Sequence, residues 1–234
     1  MRSIFRYAWL GLLLLQSPAY SQNVQNLSDW VNYTRYAEAD KSLPPVAPGE
    51  KRVVFMGNSI TEFWAVRDSS FFADNGYIDR GISGQVSAQM LLRFRQDVID
   101  LKPTLVVILA GTNDIAENAG PISLEHVMDN IISMAELAEQ NNIKVILCSV
   151  TPAFDFPWHK GLHPAKTIVK LNSMIKSYCE ENNIPYVDYY SKMVDKRGGM
   201  IKNYTIDGVH PNHEGYTVMD SLVQKEIKTV LNSK

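Results

Sequence analysis

The sequence predicts a three-layer α/β/α sandwich built around a parallel five-stranded sheet. Residues 105–110 and 145–150 are continuous apolar runs rich in β-branched side chains, the pattern of strands buried on both faces. Stretches with helical spacing separate these runs from the other strand candidates. Strands that alternate with helices of this length pack as a parallel sheet covered on both sides.

The elements follow in chain order. Arg2 and Arg6 open the chain, an apolar run covers residues 8–15, Pro18 breaks it, and Ala19 and Ser21 are small. That order is expected of a secretory signal peptide, residues 1–21, cleaved after Ser21. The run is shorter than the roughly 20 residues a membrane-spanning helix needs, and no Cys sits near the cut to carry a lipid. The mature chain is therefore expected to be exported, periplasmic or extracellular, with no stable membrane insertion. Residues 22–50 are expected to form an N-terminal arm. Its amphipathic helix, 26–41, packs through Leu27, Trp30, Val31 and Tyr33, and the connector over 43–49 holds Pro44, Pro45 and Pro48, which cannot continue a helix. Residues 51–234 are expected to be the main domain. Strands are placed at 53–56, 77–82, 105–110, 145–150 and 185–188, and helices at 86–99, 124–141, 166–182 and 214–231.

Composition removes some functions. The formal charge is −2, and loss of Arg2 and Arg6 with the signal peptide makes it more negative by two. With no basic run, the chain has no electrostatic grip on nucleic acid or anionic lipid. The expected partner is a small-molecule or oligosaccharide substrate, neutral or bound through local contacts. Cys148 and Cys179 are the only cysteines; two in a domain of this size are not a disulfide scaffold, and two packed free thiols are expected.

Reactive residues of open α/β sheets gather just beyond the carboxyl ends of the strands. The first strand ends Gly57-Asn58-Ser59-Ile60-Thr61-Glu62. A Ser in that turn holds its hydroxyl clear of the sheet, and a helix starting there would favour a developing oxyanion. Ser59 and Glu62 also fit a helix capping box, which needs no chemistry. The second strand ends Gly81-Ile82-Ser83-Gly84, where Gly84 could bring its N–H to an acyl oxygen with no side chain in the way, or could be an ordinary turn glycine. The third ends Gly111-Thr112-Asn113-Asp114; Asn113 offers an amide donor, or starts an Asx turn. Before the last helix, Asp207-Gly208-Val209-His210-Pro211 lets the carboxylate reach the imidazole Nδ1–H, which would leave Nε2 free to take a proton from a serine. A metal site on Asp207, His210 and His213 lacks a clear further ligand, so no metal is expected.

These four blocks, in this order, resemble those of the SGNH/GDSL hydrolases, over residues 53 to about 231. The resemblance implies a flavodoxin-like sandwich, with Ser59 as nucleophile, His210 as general base and Asp207 orienting it. It implies an oxyanion hole made by the Ser59 and Gly84 N–H groups and the Asn113 side chain. No cofactor is required. One position departs from the pattern: Asn58 stands where the family usually has Asp, which puts in doubt any role for a charge beside the nucleophile.

The implied activity is that of a serine esterase acting through an acyl-enzyme. Residues 151–164 hold Phe154, Phe156, Trp158, His159 and His163, aromatics suited to stacking on sugar rings or packing on alkyl chains. Trp64, Phe154, Trp158 and His163 are taken as candidate substrate contacts. Short-chain esters on carbohydrate, O-acetyl foremost, are the first expectation. A lysophospholipase or short-chain lipid esterase is the second, and a non-catalytic carbohydrate-binding protein on a hydrolase scaffold the third.

Overall fold

The structure is a computed structural model that describes residues 26–233; the expected signal peptide, residues 1–21, lies outside them. The chain begins α1 (Leu27–Val31), α2 (Ala37–Ser42), β1 (Val53–Gly57), α3 (Ser59–Arg67), α4 (Ser69–Asn75) and β2 (Ile78–Gly81). It continues α5 (Ser87–Asp97), β3 (Leu105–Ile108), α6 (Thr112–Ile115), α7 (Leu124–Gln140), β4 (Lys144–Cys148) and α8 (Ala165–Asn182). It ends β5 (Tyr186–Val187), α9 (Tyr190–Met193) and α10 (His213–Asn232).

The five strands form one sheet in the order β2-β1-β3-β4-β5, and every neighbouring pair is parallel. The order reverses between β1 and β3, which opens a crevice at their carboxyl ends. Side chains alternate across the sheet and both faces are buried. Val54, Met56, Val106, Ile108, Val145 and Leu147 pack with Phe94 of α5, Met134 of α7 and Leu171 of α8. Val53, Phe55, Leu105, Val107, Ile146 and Cys148 pack with Trp64 of α3, Phe72 of α4 and Val223 of α10. Each large apolar side chain so buried contributes about 1.5–3 kcal/mol. This two-sided burial is why the strands read as unbroken apolar runs. Cys148 and Cys179 are buried and unbridged; burial pushes the Cys148 thiol up to about 12.

The arm departs from the single helix expected over 26–41. Asn32 takes a left-handed conformation, φ 59°, and ends α1 with its N–H on the Ser28 carbonyl, so the chain restarts as α2. The third strand is shorter than the apolar run that marks it. After the Leu109 N–H bonds the Met56 carbonyl, Gly111 at φ 116° turns the chain into α6. Among the described residues no helix is long and apolar enough to cross a membrane.

On α10 lies a carboxylate with a measurable consequence. Asp220 accepts a hydrogen bond from the Trp64 indole Nε1 at 2.7 Å. Burial, against the effect of that bond and with the help of the neighbouring Asp68 carboxyl, pushes Asp220 up to about 7. Near pH 5–6 the folded chain then holds a proton that the unfolded chain, with a carboxyl near 3.9, has released. This contribution is fully present at low pH and is lost as pH rises through about 7. Asp220→Asn keeps the acceptor for Trp64 and removes the titration. Its melting temperature should decline less than that of the wild type between about pH 5 and pH 8; parallel declines would assign the pH dependence to other groups.

Candidate active site

Ser59 is the first helical residue of α3, just past the end of β1. The cap of that helix is Asn58, whose Oδ1 accepts the Ile60 N–H at 2.9 Å. The capping-box alternative for Ser59 therefore fails: the cap lies one residue earlier, and the Glu62 carboxylate bonds Ser83 and Arg35 instead. Asn58 is fully buried, and its Nδ2 has no hydrogen-bond partner among the described residues. Relieved of capping, the Ser59 hydroxyl lies 3.0 Å from His210 Nε2, at a helix N-terminus where backbone N–H groups favour negative charge.

The loop that carries the imidazole is closed on itself. Thr205 Oγ1 donates to the His210 carbonyl and accepts the Gly208 N–H. Asp207 uses its two oxygens differently. Oδ1 accepts the Val209 and His210 backbone N–H groups at 3.0 and 2.8 Å, and Oδ2 holds His210 Nδ1 at 2.7 Å. Burial would raise this carboxyl, but the hydrogen bonds from the His210 backbone and ring and from Val209 outweigh it and hold Asp207 below the ordinary range. An ionised Asp207 selects the tautomer with the proton on Nδ1, which leaves Nε2 as the acceptor facing Ser59.

The two other blocks meet Ser59 from the β2 and β3 edges. Gly81 packs directly on the first turn of α3, where a Cβ would come within 2.2 Å of the Glu62 nitrogen. Gly84 has the backbone of the turn glycine its sequence allows. A Cβ there would meet nothing within 4 Å, but φ is +80°, a left-handed conformation that strains other residues. Asn113 is 2% exposed, and its Nδ2 donates to the Gln85 carbonyl at 2.9 Å. That is a link from α6 to the loop after β2, not the local Asx turn. The amide has a second N–H to offer, and Asn113 borders the same cleft as Ser59, Gly84 and His210. Asp114 ties α6 to the start of α5 by accepting the Ser87 N–H and hydroxyl.

The cleft has a volume of about 300 Å³. Of the four aromatic candidates only Trp158 borders it. Its Nε1 donates to Asn118 Oδ1 at 2.9 Å, while Asn118 Nδ2 donates to the Gly84 carbonyl at 3.2 Å. The His210 ring sits between Trp158, 5.8 Å away, and Phe63, 5.3 Å away. Phe63, Ser83 and Asn118 border the cleft too, and the sequence marks none of them. Trp64 is a correction: it is 1% exposed and stacks between Phe71 and Tyr216. Five residues beyond Ser59, it lies about 140° around α3 at about 100° per residue, on the side facing the sheet. Phe154 and His163 pack on each other, 6.5 Å between ring centroids. Phe154 borders a separate hollow of about 280 Å³ beside Asp207 and Gly208, with Arg197 over its ring. A larger concavity, about 490 Å³, lies around Lys144 and Pro185 and contains none of these reactive groups. His213 is directed at Asp68, 3.6 Å away. Among the described residues no group of three or more His, Cys, Asp or Glu could hold a metal ion.

A serine, an imidazole and a carboxylate in relay beside candidate oxyanion donors can perform acyl transfer. The sequence pattern of the GDSL-like Lipase/Acylhydrolase family matches residues 55–218. The chain belongs to this family. A GDSL-like lipase from Bacteroides thetaiotaomicron VPI-5482 is 51% identical, with a TM-score of 0.84 over 86% of this chain and 98% of that one. Esterase TesA of Pseudomonas aeruginosa is 25% identical over 90% of each chain. The acetylxylan esterase of Xylanibacter ruminicola is 23% identical over 89% of this chain and 48% of its own length. The match covers less than half the length of three of the curated relatives, 37%, 40% and 48% of their chains. As a GDSL-like acylhydrolase it is a carboxylic-ester hydrolase with the α/β/α sandwich of that family.

Proposed function

We propose that this GDSL-like hydrolase is an exported esterase that removes short acyl groups, acetyl foremost, from carbohydrate. In this reading residues 1–21 are the signal peptide, 22–50 the arm and 51–234 the catalytic domain. Ser59 attacks the ester carbonyl while His210 Nε2 takes its proton, and Asp207 steadies the imidazolium that forms. The oxyanion is held by the Ser59 and Gly84 N–H groups and by Asn113 Nδ2. His210 then protonates the leaving alkoxide, and water, deprotonated by His210, hydrolyses the acyl-enzyme. The observation that carries this reading is the relay from Ser59 Oγ to His210 Nε2 at 3.0 Å and from His210 Nδ1 to Asp207 Oδ2 at 2.7 Å.

The preference for short acyl groups rests on Trp158, tethered through Asn118 at the edge of a small cleft. The preference for carbohydrate rests on the half-exposed faces of Trp158 and Phe154 and on the acetylxylan esterase relative. A short-chain lipid ester is the second reading, favoured by the apolar rings of Phe63 and Trp158 beside His210.

Acetate release from a panel of acetylated polysaccharides, beside fatty-acid release from lysophospholipid, tests the choice. Acetate from at least one polysaccharide with lysophospholipid left intact is the expected result. The reverse would establish the lipid reading, and no hydrolysis of any ester would return the chain to a binding role. On p-nitrophenyl esters, Trp158→Ala should raise kcat/KM for hexanoate relative to acetate by about tenfold or more, the scale on which hydrophobic pockets discriminate methylenes. An unchanged ratio would remove Trp158 as the limit on acyl length.

A further inference from the structure

The N-terminal arm is fastened to the elements that carry the candidate oxyanion loop. Gln85, Gln89 and Gln96 donate through their side-chain amides to the Val31, Trp30 and Tyr33 carbonyls at 2.7, 2.6 and 2.7 Å. Arg80 pairs with Asp40, and the Tyr36 hydroxyl donates to the Gly81 carbonyl. From this fastened arm Arg35 reaches over α3, its Nη2 2.8 Å from Glu62 Oε1. The other carboxylate oxygen of Glu62 accepts the Ser83 backbone N–H at 2.8 Å and the Ser83 hydroxyl. Ser83 immediately precedes Gly84, and the peptide between them carries the Gly84 N–H.

We infer that Glu62 is a positioning residue which, clamped by Arg35, holds Ser83 by its backbone N–H and hydroxyl and so sets the Ser83–Gly84 peptide that follows, with the Gly84 N–H facing the oxyanion. Three features support this role. Ser83 and Gly84 are exposed, so packing alone does not fix that peptide. A surface ion pair with one half-exposed partner, as Arg35 is, adds little to stability, whereas small displacements of an oxyanion donor are costly to catalysis. Arg35 also offsets the charge of a carboxylate bonded to Ser83, the residue before Gly84. Burial would raise the Glu62 carboxyl, but the hydrogen bonds from Ser83 and Arg35 hold it below the ordinary range, so the clamp stays charged at neutral pH.

The inference rests on the oxyanion role proposed for Gly84, and the test separates the two. With p-nitrophenyl acetate as substrate, Glu62→Ala should lower kcat about tenfold with KM little changed, a fraction of the loss from deleting a donor outright. Glu62→Gln should recover only part of that loss, because its amide oxygen can still accept the Ser83 N–H while its NH2 cannot accept from Arg35. Arg35→Met alters a half-exposed side chain; it should fold normally and lower kcat several-fold, and its result decides the matter if Glu62→Ala does not fold. Wild-type kcat in folded Glu62→Ala or Arg35→Met, with Ser59→Ala inactive, overturns the positioning role alone. An active Ser59→Ala overturns the site reading beneath it.

Discussion

Ser59→Ala should abolish esterase activity, with kcat/KM falling by ~10⁴-fold or more, while the protein melts close to the wild-type temperature. The two halves of that expectation have separate causes. The hydroxyl is the only atom group removed, and in the reading above it is the group that becomes bonded to the acyl carbon. Stability is spared because the cap of α3 is Asn58, through Oδ1 on the Ile60 N–H, and among the described residues the Ser59 hydroxyl bonds only His210. Asn58→Ala should show the opposite imbalance, with a loss of ~1 kcal/mol from the missing cap. Thermal melts and p-nitrophenyl acetate turnover on the pair of variants would separate chemistry from capping. Substantial activity in folded Ser59→Ala would end the assignment of the nucleophile.

That pair also shows why the site was legible in the sequence and where legibility stopped. Ser59, Gly84, Asn113 and His210 each follow an apolar run or precede the last helix, and a parallel sheet delivers such positions to one edge. The capping ambiguity arose because Asn58 and Ser59 are both good caps, and a pattern that tolerates either cannot choose the register. Trp64 was misplaced for a related reason. Nearness to Ser59 along the chain says little about direction on a helix, and α3 buries Ile60, Thr61 and Trp64, leaving no simple apolar stripe to read. Phe63 and Asn118 carry no signal of their own, since a loop asparagine and a helix phenylalanine are ordinary until the fold sets them beside His210. The arm was legible as a helical segment, but its break at Asn32 depends on a left-handed residue. Its attachment depends on Gln85, Gln89 and Gln96, which no pattern in the sequence singles out.

Asn113→Ala should lower kcat by ~10²–10³ with much less change in KM, because a donor aimed at the oxyanion bonds more strongly to developing charge than to a ground-state carbonyl. The structure sharpens the comparison with Asn113→Asp. The wild-type amide already gives one N–H to the Gln85 carbonyl at 2.9 Å, so Ala leaves that carbonyl without its partner and Asp sets a negative charge against it. Asp would also oppose the oxyanion directly. Both variants are therefore expected to lose stability, about 1–3 kcal/mol for the unpaired buried group in Ala, and kcat must be compared at a temperature where both are folded. Under those conditions Asp should be no better than Ala and KM should move little in either. If Asn113 served only to tie the Gln85 loop, the two variants would lose activity in proportion to their lost stability, and lowering the temperature would restore turnover. Near-wild-type kcat for folded Asn113→Asp would exclude a donor role, because a carboxylate in that position cannot stabilise an oxyanion.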